Sequence, residues 1–283
     1  MIQAFNEHIR VNQSNFVSDD SVNIKKRLLK LLKDSNITLD YTLPEKLLEF
    51  QERLRDDFAV STSDKYITFL KTFLKWCVKK GYLESSIRDR IDFLKRKKSQ
   101  KVEEVFTDDE LKRMWFYCIQ YGKLDFMNYM ITLFLTGARP NEILKMTKDD
   151  IDWENNTITI WMSKTEYRKT TPINPKYLKE LESISKANRL DNGCIFYGSL
   201  RNKEFYAKEF KKMREELKLN PKYNRYTFRH TAGDRAYDLT RDIHLVADFL
   251  GHQDIRTTQG YISSKPERKR VIADGLIESV GGY

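Results

Sequence analysis

The chain has 283 residues, enough for about two domains, and 40% of them are hydrophobic, which excludes an intrinsically disordered protein. Lysine and arginine number 51 against 41 acidic residues, and the net charge of +10 favours an anionic partner, with nucleic acid first among the candidates. No apolar run approaches the roughly 18 residues of a membrane span, and the N-terminal stretch lacks the apolar core of a signal peptide. The three cysteines are far apart and odd in number, which excludes a disulfide framework.

The first third of the chain has the pattern of a small helical bundle with basic outer faces. Pro44 stands in the first turn of one helix, where its missing N–H costs nothing, and Gly81 ends another. Apolar side chains recur at helical spacing between lysines. Helices are therefore predicted over residues 23–34, 43–58, 61–83 and 85–98.

One side of the predicted helix over 61–83 is rich in lysine. We take Lys71, Lys75, Lys79 and Lys80 as candidate DNA-binding residues, because phosphate contacts supply affinity for DNA. A solvated charged face explains these lysines equally well when the helix is considered alone.

A highly charged segment without periodicity separates two halves of the chain. We assign residues 1–96 to a helical core DNA-binding domain, residues 97–106 to a linker, and residues 107–283 to a second domain. Thr107 and Glu110 form the sequence signature of a capping box, which predicts that a helix begins at this boundary.

The second half mixes helices with a small sheet. Residues 156–161 and 169–173 are predicted strands around the turn 162–168, and residues 194–196 have the pattern of a short strand. Further helices are predicted over 124–137, 141–146, 174–187, 204–219, 226–239, 242–250, 255–262 and, in the C-terminal tail, 265–280. The fold class expected for the chain is mainly α with a small β-sheet.

Five segments of the second half carry a basic or phenolic group beside the end of an apolar element. The groups are Arg139 in TGARPNEI, Lys164 in the strand-linking turn, Arg229 in YTFRHT, His252 in LGH, and Tyr261 nine residues after that histidine. Each has a simple structural explanation when taken alone, as a turn, a cap, an exposed lysine or a core tyrosine. The presence of all five groups in one chain is not accounted for by these separate structural explanations.

Together and in this order, the segments resemble the tyrosine recombinase (phage integrase) family over roughly residues 107–263. TGARPNEIL is similar to the first-arginine motif, with Glu142 as its acidic residue, and Lys164 is at the place of the hairpin lysine. YTFRHTAGDRAYD is similar to the second-arginine motif, and LGHQDIRTTQGY to the histidine-to-tyrosine motif with its usual spacing.

One position departs from the pattern of that family. The second-arginine motif usually opens with histidine three residues before the arginine, and Tyr226 stands there. Some archaeal viral and plasmid integrases are similar in lacking this histidine, which favours an archaeal origin. A phenol has a pKa near 10, so Tyr226 is assigned a hydrogen-bonding or packing role in the catalytic site rather than that of a general base.

The resemblance implies a site-specific recombinase that cuts and rejoins DNA through a 3′-phosphotyrosine link, without metal, ATP or any other cofactor. Tyr261 would be the nucleophile and Lys164 the general acid, while Arg139, Arg229 and His252 would neutralise the phosphate.

Two supporting residues and the architecture follow from the same resemblance. Glu142 would orient an arginine or His230, and His230 would support the start of its helix. The helical core-binding domain and a mixed α/β catalytic domain would form a C-shaped clamp around double-stranded DNA with specific recombination sites. The implied protein is monomeric or dimeric when free, tetrameric on synapsed DNA, and cytoplasmic in association with the nucleoid.

Two alternatives stay open at the level of sequence. A strand-passing enzyme of the type IB topoisomerase kind shares the arginine, lysine, histidine and tyrosine set. A DNA-binding protein that has lost catalysis would also be basic and would tolerate the replacement at Tyr226.

Overall fold

The computed structural model describes residues 1–11, 19–95, 104–162, 166–188, 193–196 and 204–259, with the backbone alone at 19–21 and 188. The chain divides into two compact units, Met1–Gln100 and Lys101–Tyr283. Helices dominate the described residues, and they are accompanied by one three-stranded sheet. The predicted fold class, mainly α with a small β-sheet, is confirmed.

The first unit is a bundle of helices around an apolar core. Phe5 is fully buried and its ring lies 4.8 Å from the ring of Phe73, centroid to centroid. Tyr66, Leu70 and Cys77 are buried on the same face as Phe73, as their helical spacing predicts. The helices of this unit are α1 (Ile2–Val11), α2 (Asp19–Asp34), α3 (Leu43–Asp57), α4 (Val60–Lys79) and α5 (Ser85–Asp89).

The helix predicted over residues 85–98 is wrong beyond its first turns, because α5 ends at Asp89. The reason is a buried side chain from α3. The Gln51 amide donates to the carbonyl oxygen of Asp92 at 2.9 Å and accepts from the backbone N–H of Leu94 at 3.1 Å. Arg55 donates to the carbonyl of Lys95 at 2.7 Å. These contacts satisfy the backbone of a non-helical segment, so the segment needs no helical hydrogen bonds.

The second unit combines eight described helices with the sheet. The helices are α6 (Asp108–Gln120), α7 (Leu124–Thr136), α8 (Pro140–Ile143), α9 (Pro175–Asn188), α10 (Phe205–Glu216), α11 (Tyr226–Thr240), α12 (Ile243–Leu250) and α13 (Ile255–Gln259). The helix α7 packs on α11, and α11 packs on α12. The predicted capping box at the start of α6 is confirmed, because Thr107 accepts from the N–H of Glu110 and the Glu110 carboxylate accepts from the N–H of Thr107.

The sheet is antiparallel, with the order β1 (Ile151–Asp152), β2 (Thr157–Met162), β3 (Tyr167–Pro172). The register pairs Ile160 with Lys169. Ile158, Ile160 and Met162 alternate onto the buried face. The two-residue β1 was not predicted, since two residues carry no periodic signal. The short strand predicted over 194–196 is only a single bridge between Cys194 and Thr147.

Two elements of the sequence prediction lie wholly or mostly outside the described residues: the tail helix over 265–280 and most of the linker assigned to 97–106. Phe106, the last linker residue, is buried in the second unit, where its N–H donates to Thr231 at 2.9 Å. In the described part of the chain, no helix has the length and apolar character needed to cross a membrane.

Candidate active site

The first arginine motif begins where α7 ends. Gly137 caps α7 with φ +60°, a left-handed conformation that favours glycine. A Cβ atom on Gly137 would lie 3.0 Å from side-chain atoms of Phe249 and Leu250, at the end of α12. The glycine therefore allows the ends of α7 and α12 to approach closely, and Arg139 follows two residues later.

Arg139 is held by Glu142, one turn along in α8. The Glu142 carboxylate is buried and accepts from Arg139 twice: from its backbone N–H at 2.8 Å and from its Nη1 at 3.0 Å. The side chain of Arg139 remains 21% exposed. Charge-assisted bonds of this kind fix the orientation of the guanidinium group while leaving part of its surface open to a ligand.

Arg229 lies one turn into α11 and is 1% exposed, one of the largest fully buried side chains among the described residues. Its Nη1 donates to the carbonyl of Gly137 at 2.5 Å, and its Nη2 to the carbonyl of Leu250 at 2.7 Å. The same Nη2 lies 2.7 Å from Nε2 of His252. Arg229 thus joins the end of α7, the end of α12 and the histidine motif.

His252 follows Gly251, the left-handed cap of α12 with φ +65°. Arginine can only donate, so Nε2 of His252 accepts from Arg229. Its Nδ1, 2.9 Å from the buried Oγ1 of Thr258, then carries the proton and donates to that hydroxyl. The geometry therefore favours the neutral Nδ1–H tautomer, held between α11 and α13.

A residue that the sequence prediction missed lies against this group. Lys169, on the inward face of β3, is 3% exposed, and its Nζ donates to the carbonyl of Phe249 at 2.6 Å and to the carbonyl of Thr136. Burial, followed by the positive charge of Arg229, lowers the pKa of Lys169 to about 7. The sequence signal that could have identified this residue is the alternation of the strand, which places Lys169 on the same inward face as Thr171.

The other predicted residues are less buried. Tyr226 is 43% exposed as the first residue of α11, and it lines an open pocket with Lys211, Arg214 and Arg225. His230 follows Arg229 on α11 and is half-buried.

The four candidate DNA-binding lysines belong to the first unit. Lys71, Lys75, Lys79 and Lys80 are all exposed, at the surface of α4 or at its C-cap. The ammonium group of Lys71 lies 5.0 Å from the ring centroid of Phe93. Lys164 and Tyr261 lie outside the described residues, so their predicted roles stay predictions.

Comparison with known proteins identifies the family of the chain. The sequence model described as "Phage integrase family" matches residues 104–268, more than half of the chain. The chain belongs to the phage integrase family. This family member is 24% identical over 243 residues to the tyrosine recombinase XerA of Pyrococcus furiosus, covering 83% of this chain and 82% of that protein. It is also 25% identical to the tyrosine recombinase XerC of Lactobacillus delbrueckii subsp. bulgaricus, covering 72% of each.

Solved structures share the fold of this phage integrase family member. The Tn1549 transposon integrase, in complex with transposon right end DNA, gives a TM-score of 0.74 at 14% identity, covering 97% of this chain and 98% of that chain. A lambda integrase dimer bound to a COC′ core site gives 0.74 at 13% identity, covering 93% and 77%. The protein is a tyrosine site-specific recombinase, and the alternatives of a topoisomerase-like enzyme or a DNA-binding protein without catalysis are not favoured.

Proposed function

We propose that this recombinase cleaves double-stranded DNA at specific recombination sites by attack of Tyr261 on a phosphodiester. The new bond joins the tyrosine oxygen to phosphorus, and the bond from phosphorus to the 5′-oxygen breaks. The 3′-phosphotyrosine link conserves the bond energy, and attack by a 5′-hydroxyl of a partner strand reverses it. The phenolic proton of Tyr261 passes to solvent water, and the departing 5′-oxygen takes a proton from Lys164.

The observation that carries the proposal is that Arg139, Arg229 and His252 are each held by hydrogen bonds at the ends of α7 and α12. Charge grows on the non-bridging oxygens of a phosphodiester during attack, and guanidinium groups neutralise it with fixed donors. Glu142 holds Arg139 at 3.0 Å, and Arg229 is held by two carbonyl oxygens. Groups held in this way need little rearrangement when the charge develops.

The remaining predicted residues are given supporting roles. Tyr226, beside the basic side chains of its pocket, hydrogen-bonds near the DNA backbone, and His230 supports the start of α11. Lys71, Lys75, Lys79 and Lys80 of the first unit bind phosphates. The protein acts as a tetramer on two synapsed sites and is monomeric or dimeric when free, and it works on the nucleoid in the cytoplasm.

The test is a nicked suicide substrate that carries a candidate recombination site. Wild-type protein should form a covalent adduct that survives denaturing electrophoresis. Tyr261→Phe should form none while its Kd for DNA stays near that of wild type, because one hydroxyl is lost and the phosphate contacts remain. Tyr41→Phe, which alters an exposed tyrosine of the first unit, is the matched control and should form adduct normally. Adduct formation by Tyr261→Phe would assign the nucleophile to another residue.

A further inference from the structure

A buried amine lies where the strand pattern calls for an apolar side chain. Lys169 pairs with Ile160 across the sheet and points into the second unit, where it is 3% exposed. Burying an ammonium or amine group is costly unless its hydrogen bonds are made. Lys169 makes them with two backbone carbonyls, those of Thr136 and Phe249.

Both carbonyls belong to the last turn of a helix. Thr136 is the last residue of α7, and Phe249 is the last but one of α12. The final carbonyls of a helix have no partner within it and form the negative end of its dipole. Arg229 donates to the carbonyl of the residue that follows each of these two, Gly137 after Thr136 and Leu250 after Phe249. Two basic side chains, Lys169 and Arg229, therefore cap the same two helix ends. Each of them binds one carbonyl at the end of α7 and one at the end of α12.

Each capped end leads directly into a residue of the active site. Arg139 lies three residues after Thr136, and His252 lies three residues after Phe249. The end of α12 is also packed closely on the sheet, because a Cβ atom on Gly251 would lie 2.8 Å from a terminal side-chain atom of Met162 and 3.7 Å from the Lys169 side chain. A change in the spacing of the two ends would move Arg139 relative to His252.

We propose that Lys169 is a positioning residue of the active site: its amine ties the end of α7 to the end of α12 and so sets the spacing of Arg139 and His252. The proposal rests on the function proposed above, because it assigns those two residues to the phosphate. Lys169 itself does not touch the DNA.

The charge on Lys169 changes near neutral pH. Burial and Arg229 favour the neutral amine most strongly, Arg139 adds to this, and Glu142 and Asp248 favour the ammonium form, with the pKa at about 7 as the result. Both forms can donate to two carbonyls, but a pKa below the 10.5 of an ordinary lysine means that the buried site favours the neutral amine over the ammonium ion. Protonation therefore favours opening of the packing around Lys169, and the two helix ends are held more firmly on the basic side of that pKa.

Hydrogen exchange tests the positioning without any need for activity. In Lys169→Met, backbone amides in the segments 133–141 and 247–254 should exchange faster than in wild type, in both segments at once. Arg168→Met, which alters the exposed neighbour on the same strand, should leave both segments unchanged. Unchanged exchange in either segment of Lys169→Met would overturn the proposal, whatever the protein does to DNA.

The ratio of cleavage rates, wild type over Lys169→Met, gives the second readout, because ionisations shared by both proteins cancel. With saturating suicide substrate, the ratio should be about tenfold larger near pH 8.5 than near pH 6, since protonation of the buried amine below its pKa weakens the tie in wild type alone. A ratio that does not change with pH would make Lys169 a structural residue only and would overturn the proposal.

A second variant guards against misfolding of Lys169→Met. Lys169→Gln keeps N–H donors but cannot ionise, so the ratio of wild type to Lys169→Gln should show the same rise with pH. If wild type itself forms no adduct, the function proposed above fails, and the hydrogen-exchange comparison still decides whether Lys169 ties the two helix ends.

Discussion

Replacing Glu142 by glutamine separates the two tasks of its carboxylate. Each oxygen accepts one bond from Arg139: Oε2 from the backbone N–H at 2.8 Å and Oε1 from Nη1 at 3.0 Å. A glutamine side chain has the same shape but only one acceptor oxygen. Its amide nitrogen must therefore face one of the two donors of Arg139, and that bond is lost.

The size of the effect follows from burial. Glu142 is 4% exposed, so water does not replace the lost partner. A hydrogen bond to a charged group contributes about 1.5–3 kcal/mol, and Glu142→Gln should lower the free energy of unfolding by about that amount. If the lost bond is the one to Nη1, the guanidinium group is no longer fixed, and each 1.4 kcal/mol withdrawn from the transition state slows cleavage about tenfold.

The assay is urea unfolding together with single-turnover cleavage of a suicide substrate. Glu182→Gln is the control, since Glu182 pairs with Lys186 at 2.5 Å on the surface of α9, with 45% of its side chain exposed. Such an exposed pair contributes about 0.5 kcal/mol or less, and cleavage should be unaffected. The reasoning is refuted if Glu142→Gln matches Glu182→Gln in both stability and cleavage rate.

Three further predictions use other parts of the second unit. Lys164→Ala should cleave a normal phosphodiester very slowly but a 5′-bridging phosphorothiolate near the wild-type rate, because a thiolate leaves without a general acid; equal impairment on both substrates would remove Lys164 from that role. Gly137→Ala should be destabilised in urea unfolding by about 1–3 kcal/mol more than Gly122→Ala, which has the same positive φ but nothing within 4 Å of its Cβ position, and equal losses would contradict the close packing on Phe249. The pKa of Lys169, about 7 when folded against 10.5 for an ordinary lysine, imposes a cost on folding that is fully present below pH 7 and is relieved as pH rises towards 10.5. The free energy of unfolding of wild type should therefore rise by about 2 kcal/mol relative to Lys169→Met between roughly pH 7 and pH 9, and a parallel pH dependence of the two proteins would be inconsistent with this burial.

Local chemistry was enough to predict much of the described structure. The capping box of Thr107 and Glu110, the end of α7 near Gly137 and the apolar stripe of α4 all depend on residues close together in sequence. The four motifs around Arg139, Lys164, Arg229 and His252 were recognisable because the order and spacing of such groups are unusual in combination. For Arg139, Arg229 and His252, the fold places the motif residues on the ends and first turns of α7, α8, α11 and α12.

Tertiary contacts decided what the sequence could not. The segment after α5 has helical periodicity, yet Gln51, about forty residues away, satisfies its backbone in a non-helical form. Lys169 resembles an ordinary strand lysine, and only the close approach of α7 and α12 surrounds it with helix-end carbonyls. The sequence shows which groups a segment carries and how they repeat. Segments far apart in the chain decide which polar groups are removed from water and which partners replace that water. At Lys169, burial by such segments lowers the pKa of the amine into the neutral range.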